Sequence, residues 1–212
     1  LIPIYLNVDE LEVQNTGEFF AWLSEIIARN LRNRGIEVPA PVSWPANGQG
    51  YRLFDQYLDQ VETSLPAVSL LVLILDELER LQRPIQEGDL DHDILPYLRS
   101  LMQHRSRLSF IVAGTNRLME DFWQLVFNAG ERLELTMLSR RETERLIREP
   151  VQPLVRYDDL AVEHIWRVTS GHPYLTQLIC HRLIQSEKQD ERRQKIITVD
   201  HVHKVLDQIL DE

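Results

Sequence analysis

The sequence predicts an α/β domain built on a parallel sheet, followed by a smaller helical domain. Three observations carry this expectation. Strand-length apolar runs at 2–8, 68–75 and 108–115 alternate with helix-periodic segments at 15–35, 50–64 and 89–105, the order of parallel βα units. The run at 68–75 is continuously apolar rather than alternating, as in a strand covered on both faces. Beyond residue 138, strand-like runs give way to helix-capping signals.

Each element follows from local chemistry. IPIYLNV (2–8) reads as a buried strand. NTGEFFAWLSEIIARNLRNRG (15–35) reads as a helix, with Asn15 and Glu18 at capping-box spacing, Gly35 as the stop, and Phe19, Phe20, Leu23, Ile26, Ile27 and Leu31 along one stripe. The Pro- and Gly-rich stretch 36–50 is a loop. A second amphipathic helix at 50–64 lines up Leu53, Phe54, Tyr57, Leu58 and Val61. After the strand at 68–75 and a polar loop, 89–105 is a helix with Pro96 near its start or kinking it. LSFIVAGT (108–115) is a third buried strand, 118–128 a helix, and RLELTML (132–138) a short fourth strand.

Ser139 and Glu142 then form a capping box on a helix that ends at Pro150, and helices at 158–169, 173–188 and 199–210 follow. The expected division is therefore an α/β core over 1–138 and an all-helical domain over 139–212. EKQDERRQK (187–195) reads as a solvated loop.

Composition narrows the function classes. No apolar stretch reaches the roughly 18–20 residues that span a bilayer. LIPIYLNVDE has neither a basic flank nor a small-residue cleavage site, so it is not a signal peptide. It has no initiator Met and starts in strand-like sequence, so the chain is expected to be a piece of something longer. One cysteine, Cys180, suits a reducing cytoplasm and reads as a small apolar helix residue. A net charge of -10 argues against broad affinity for nucleic acid, which needs Lys and Arg to displace counterions.

His201 and His203 stand two apart on a helix and so diverge. His164, His172 and His181 have no ligand-type partners nearby in sequence. No G-x-S-x-G or Cys–His pattern supports a nucleophilic hydrolase. Arg140, Arg141, Arg145 and Arg148 read as a solvated helix face or as phosphate contacts.

Three stretches carry candidate chemistry. In SLLVLILDELERL (69–81) the apolar strand ends in Asp76 and Glu77. Ligands of open parallel sheets bind outside such carboxyl ends, although two acids also simply begin a surface loop. In FIVAGTNRL (110–118), Thr115 and Asn116 lie just past the next strand, followed by Arg117; an ordinary turn explains them equally. In SGHPYLTQLIC (170–180), Gly171 ends one helix and Pro173 opens the next, a sound local arrangement without any ligand.

Taken in order and spacing, these stretches resemble the AAA-like P-loop ATPases of the STAND group, signal-transduction ATPases with numerous domains. Origin-recognition-type replication initiators are close relatives. The apolar run with Asp76 and Glu77 is similar to a Walker B motif, Thr115 and Asn116 to the sensor-1 position, and Gly171-x-Pro173 to the lid motif. LELTMLSRRETERLI (133–147) is similar to the junction into the helical lid.

The resemblance implies that Asp76 holds a hydrated magnesium ion and that Glu77 polarises the water attacking the γ-phosphate. Thr115, Asn116 and Arg117 would lie toward the phosphates, and Gly171 and Pro173 toward the adenine. The implied fold is a parallel-sheet P-loop NTPase core of AAA type missing its first strand, followed by a small all-helical lid. The phosphate loop is the departure. No G-x-x-x-x-G-K-[ST] pattern occurs, and the only lysines are Lys188, Lys195 and Lys204. In the family that loop lies upstream of the strand that is here 2–8, so ATP and Mg2+ are expected as cofactors of the intact parent only.

The resemblance also implies a first strand between 132–138 and 108–115. Its absence would leave a slot that self-association, closure of the sheet or a separate bound piece fills. Three functions are expected to compete: an ATP-driven switch in a cytoplasmic multidomain signalling protein, an inert protein-interaction module, and a DNA-engaging initiator. Partners are other domains or proteins, including further copies of the chain. Nucleic acid and membrane are not expected partners.

Overall fold

The computed structural model describes residues 1–40, 49–127, 130–186 and 195–211, with backbone alone at Asn116, Leu125, Ser186 and Lys195. Most of the charge run at 187–195 and part of the loop at 36–50 therefore lie outside the described residues. The chain divides into two compact units, Leu1–Glu131 and Arg132–Glu212.

In the first unit, β1 (Ile2–Asn7) leads through a 3-10 turn to α1 (Thr16–Arg32), and then α2 (Gln49–Ser64) precedes β2 (Leu71–Asp76). A second 3-10 turn and the short α3 (Gln82–Glu87) follow, then α4 (Ile94–His104), β3 (Leu108–Val112), a third 3-10 turn (Asn116–Met119) and α5 (Asp121–Phe127). The strands form one parallel sheet ordered β1-β2-β3, with Asn7 opposite Asp76 and Leu75 opposite Val112. The central strand β2 is covered along nearly its whole length, as its continuous apolar run requires.

The flanking strands correct the expectation of full burial. β1 buries Ile2, Ile4 and Leu6 while Pro3 and Tyr5 are exposed, and Ile111 of β3 is also exposed. The outer edge of β1 is poor at pairing. Pro3 has no N–H to offer, and its carbonyl accepts from Arg34 Nη2 at 3.0 Å.

The helices bury the faces that their spacing marks. Phe19, Phe20, Leu23, Ile27 and Leu31 of α1 meet Phe54, Tyr57, Leu58 and Val61 of α2 and Leu98 and Leu101 of α4 in one core with the sheet. Phe20 stacks on Phe54 with ring centroids 4.8 Å apart. Asn15 caps α1: its side chain accepts the Glu18 N–H at 3.0 Å, while the Glu18 carboxylate accepts the Gln14 N–H at 2.8 Å. Replacing Asn15 by Ala is expected to cost about 1 kcal/mol in urea denaturation; an unchanged midpoint would count against the cap.

Several boundaries move. The helix expected over 89–105 begins at Ile94, with Pro96 in its first turn, where the missing N–H costs nothing. The polar loop before it contains α3. The helix expected at 118–128 divides into a 3-10 turn and α5, whose Trp123 is fully buried.

Residues 132–138 are not a strand. Leu133, Leu135 and Met137 alternate as strand residues should, but all three are exposed, and no ladder partner is present among the described residues. Alternation without a neighbouring strand leaves the backbone unpaired, and a lone strand is not stable.

The second unit contains α6 (Arg140–Arg148), β4 (Val155–Tyr157), α7 (Asp159–Thr169), α8 (Pro173–Ser186), β5 (Lys195–Ile197) and α9 (Val199–Leu210). Its core gathers Ile147, Tyr157, Ile165, Ile179, Leu183, Ile197, Val202 and Val205. The expected capping box forms, with Ser139 N–H donating to Glu142 Oε2 at 2.8 Å and Glu142 N–H to Ser139 Oγ at 3.3 Å. The unit is mainly helical but not all-helical, because β4 and β5 pair in parallel. Three-residue strands are too short for a period of two to be read along the chain. Cys180 lies partly buried beside this core, and burial pushes its thiol up to about 11, which keeps it protonated.

Candidate functional site

The acids Asp76 and Glu77 stand where β2 ends. The chain turns sharply at Glu77, which adopts the left-handed region at φ 58°, ψ 36°. For a residue with a Cβ this conformation costs roughly 1–2 kcal/mol. Burial of the next turn offsets it: Leu78 and Leu81 are fully buried, and Leu78 N–H reaches the Ala113 carbonyl at 3.4 Å.

Asp76 is engaged on both oxygens. Its Oδ2 accepts the Tyr5 hydroxyl at 2.6 Å, and its Oδ1 accepts the Glu77 N–H at 3.1 Å. The hydrogen bond to Asp76 raises the Tyr5 phenol above its ordinary value, with burial and neighbouring negative charge adding to it. Arg80 Nε lies 3.0 Å from Asp9 and 3.9 Å from Glu77. These side chains are about half exposed, so the pairs contribute little to stability.

The neighbouring strand supplies the second wall. Ala113 N–H donates to the Leu75 carbonyl at 2.8 Å, which carries the pairing with β2 past the end of β3. Gly114 and Thr115 follow. Thr115 opens the 3-10 turn of Asn116–Met119, and its N–H donates to Glu79 Oε1 at 2.8 Å. Thr115 and Arg117 are exposed. The Asn116 side chain lies outside the described residues.

Of the residues marked in the sequence, Asp76, Glu77, Thr115, Asn116 and Arg117 thus fall on adjacent strand ends of the first unit. Gly171 and Pro173 belong to the second unit. There Ser170 and Gly171 are both left-handed (φ 50° and 75°), and Pro173 is the first residue of α8. A Cβ on Gly171 would overlap the Leu138 carbonyl oxygen, and Leu138 N–H donates to the Gly171 carbonyl at 2.9 Å. Gly171 therefore has a full conformational explanation within its own unit.

Sequence reasoning missed Tyr5, Asn7, Glu79 and Gly114. Asn7 faces Asp76 in the ladder, and its side chain accepts the Asp9 N–H at 3.1 Å. The available signals were an acid three positions after Asp76, next to Leu78, and a glycine directly before Thr115. Neither spacing says that the two meet.

Among the described residues, no group of three or more His, Cys, Asp or Glu side chains gathers as a metal cage. A single strand-end carboxylate fits magnesium, which takes one or two carboxylates and completes its octahedron with phosphates and water. For the phosphates themselves the residues do not fit, since no glycine-rich loop with a lysine is present in the sequence. No helix among the described residues is long and apolar enough to cross a membrane.

No protein-family model matches the chain. No curated protein matches it either. Solved structures do resemble it. The FIGL-1 AAA domain superposes with a TM-score of 0.50 at 14% identity, over 99% of this chain and 74% of that one. The same domain in complex with ADP gives 0.50 at 14% identity, over 98% and 72%. A Thermotoga maritima RuvB point mutant gives 0.50 at 18% identity, over 98% of this chain but only 63% of RuvB. Together with the parallel sheet and its flanking helices, this likeness establishes the fold: an AAA-type α/β P-loop core followed by a predominantly helical part.

Proposed function

We propose that this chain is part of an ATP-binding and ATP-hydrolysing switch within a larger signalling protein of the STAND group. The observation that carries the reading is the Asp76–Glu77 pair at the carboxyl end of the central strand, beside the Thr115 turn, on an AAA-type fold. Ligands of open α/β sheets bind at that edge.

In this reading Asp76 holds magnesium, Glu77 orients and polarises the attacking water, and the Thr115–Arg117 turn lies toward the γ-phosphate. Magnesium, when bound with nucleotide, neutralises the charge that develops on the transferring phosphoryl group. Residues 1–138 act as the nucleotide-binding core and 139–212 as the lid, with Gly171 and Pro173 in its adenine-side motif. Tyr5 holds Asp76 Oδ2, and the remaining lone pairs of that carboxylate stay available to a cation.

A second reading has its own support. The missing glycine–lysine loop and the engagement of Asp76 by Tyr5 both suit an inert interaction module that keeps the fold without turnover. A DNA-engaging initiator is less favoured by the net charge of -10.

Calorimetry separates the first two readings. The full-length protein is expected to bind magnesium-ATP, whereas the 212-residue chain alone binds it negligibly, because nothing in it cradles phosphates. Micromolar binding by the 212-residue chain would overturn the account of the loop. Absence of binding by the full-length protein would leave the inert module.

A further inference from the structure

Glu79 is an ionisable side chain in an unusual place. It lies three residues past Asp76, only 7% exposed, inside the turn that leaves β2. One oxygen, Oε1, accepts the Thr115 N–H at 2.8 Å across a sequence separation of 36 residues. The other, Oε2, is buried with no hydrogen-bond partner among the described residues. Burying a carboxylate is costly unless a specific arrangement compensates it.

Burial pushes the Glu79 carboxyl up, but hydrogen bonds from the Thr115 hydroxyl and N–H, from its own N–H, and the nearby Arg80 charge together hold it below its ordinary value. It therefore remains ionised at neutral pH. The opposing wall is built to admit it. A Cβ on Gly114 would overlap Glu79 Oε2 and crowd Leu118 Cδ1, so a larger residue before Thr115 would push the carboxylate aside. Gly114 has no positive φ, so what its missing side chain supplies here is space.

We propose that Glu79 is a positioning residue of the strand-end site: it clamps the turn carrying Thr115 to the turn carrying Asp76 and Glu77, so the two move as one body. The proposal rests on the switch reading above for its catalytic consequence, while the clamp itself is a property of these residues alone. A carboxylate does this better than a backbone contact could. It spans the gap between two turns whose backbones, among the described residues, are joined by the Leu78–Ala113 and Ala113–Leu75 hydrogen bonds. Its charge strengthens the bond to the Thr115 N–H. Catalytic groups displaced by about 1 Å lose on the order of a hundredfold in rate, so a clamp of this kind bears on turnover more than on affinity.

The test uses two readouts in the full-length protein: hydrogen exchange at the Thr115 amide, and kcat and KM for ATP. Glu79→Ala is expected to speed Thr115 exchange about tenfold or more. It should lower kcat by a similar or larger factor, with KM within about twofold. Glu79→Gln, which keeps an acceptor for the Thr115 N–H, should restore both to within about threefold. Gly114→Ala, which displaces the carboxylate without removing it, should reproduce the Glu79→Ala pattern and stands in for it if that variant does not fold.

Wild-type exchange and kcat in Glu79→Ala would overturn the proposal. So would a Glu79→Gln variant as impaired as Glu79→Ala, because the acceptor would then not be what matters. A wild-type protein that never hydrolyses ATP would defeat the switch reading and the catalytic half of this proposal with it. Thr115 exchange would still decide the clamp.

Discussion

Replacing Glu77 by Gln in the full-length protein is expected to abolish ATP turnover while leaving nucleotide binding intact. The amide has nearly the same shape as the carboxylate, so the left-handed turn at φ 58° and the buried Leu78 beneath it are preserved. What is lost is the negative charge that, in the proposed switch, would polarise a water molecule. Positioned acid–base groups contribute about 10²- to 10⁴-fold, so kcat should fall by that order with affinity within a few-fold. Asp76→Ala should behave differently. It removes the carboxylate that receives the Tyr5 hydroxyl and would hold magnesium, so magnesium-dependent binding weakens first. Single-turnover kinetics with calorimetry on both variants separates the roles. Turnover by Glu77→Gln at the wild-type rate would remove the catalytic assignment.

Gly171→Ala, in the second unit, is expected to cost more stability than Gly88→Ala in the first. Two costs add. A left-handed alanine costs roughly 1–2 kcal/mol at φ 75°. Its Cβ would also overlap the Leu138 carbonyl, a backbone atom that cannot rotate aside, and forced overpacking costs about 1–3 kcal/mol. Gly88 provides the control. It is left-handed as well, at φ 86°, but an added Cβ meets nothing within 4 Å, so Gly88→Ala should show the conformational cost alone. Urea denaturation followed by tryptophan fluorescence measures both. Equal losses in the two variants would show that the contact with Leu138 contributes nothing.

Local patterns account for a good part of this molecule because their physics is local. The stripe of α1 and its Asn15–Glu18 cap, the Ser139–Glu142 box, Pro173 at the first position of α8 and the covered strand β2 all depend on residues within a turn of one another. For the same reason Asp76 and Glu77 stand out as strand-end acids in the sequence alone. Helix ends are less legible: the start of α4 and the 3-10 turn before α5 depend on which carbonyls find partners in the packed unit.

Long-range pairing lies beyond such patterns. Residues 132–138 have the alternation of a strand, yet a strand exists only where a neighbouring strand satisfies its N–H and C=O groups, and no strand among the described residues pairs with it. The brief ladder of β4 and β5 forms because two three-residue segments about 40 positions apart meet beside the second core.

The site divides in the same way. Composition and spacing mark the acids, but the grip of Tyr5 on Asp76 spans 71 positions and that of Glu79 on Thr115 spans 36. The role of the small residue at 114 appears only once the Glu79 carboxylate occupies the space that a Cβ would take. Contacts of that range are decided by how the sheet and its turns pack, since packing alone determines which distant groups share a volume.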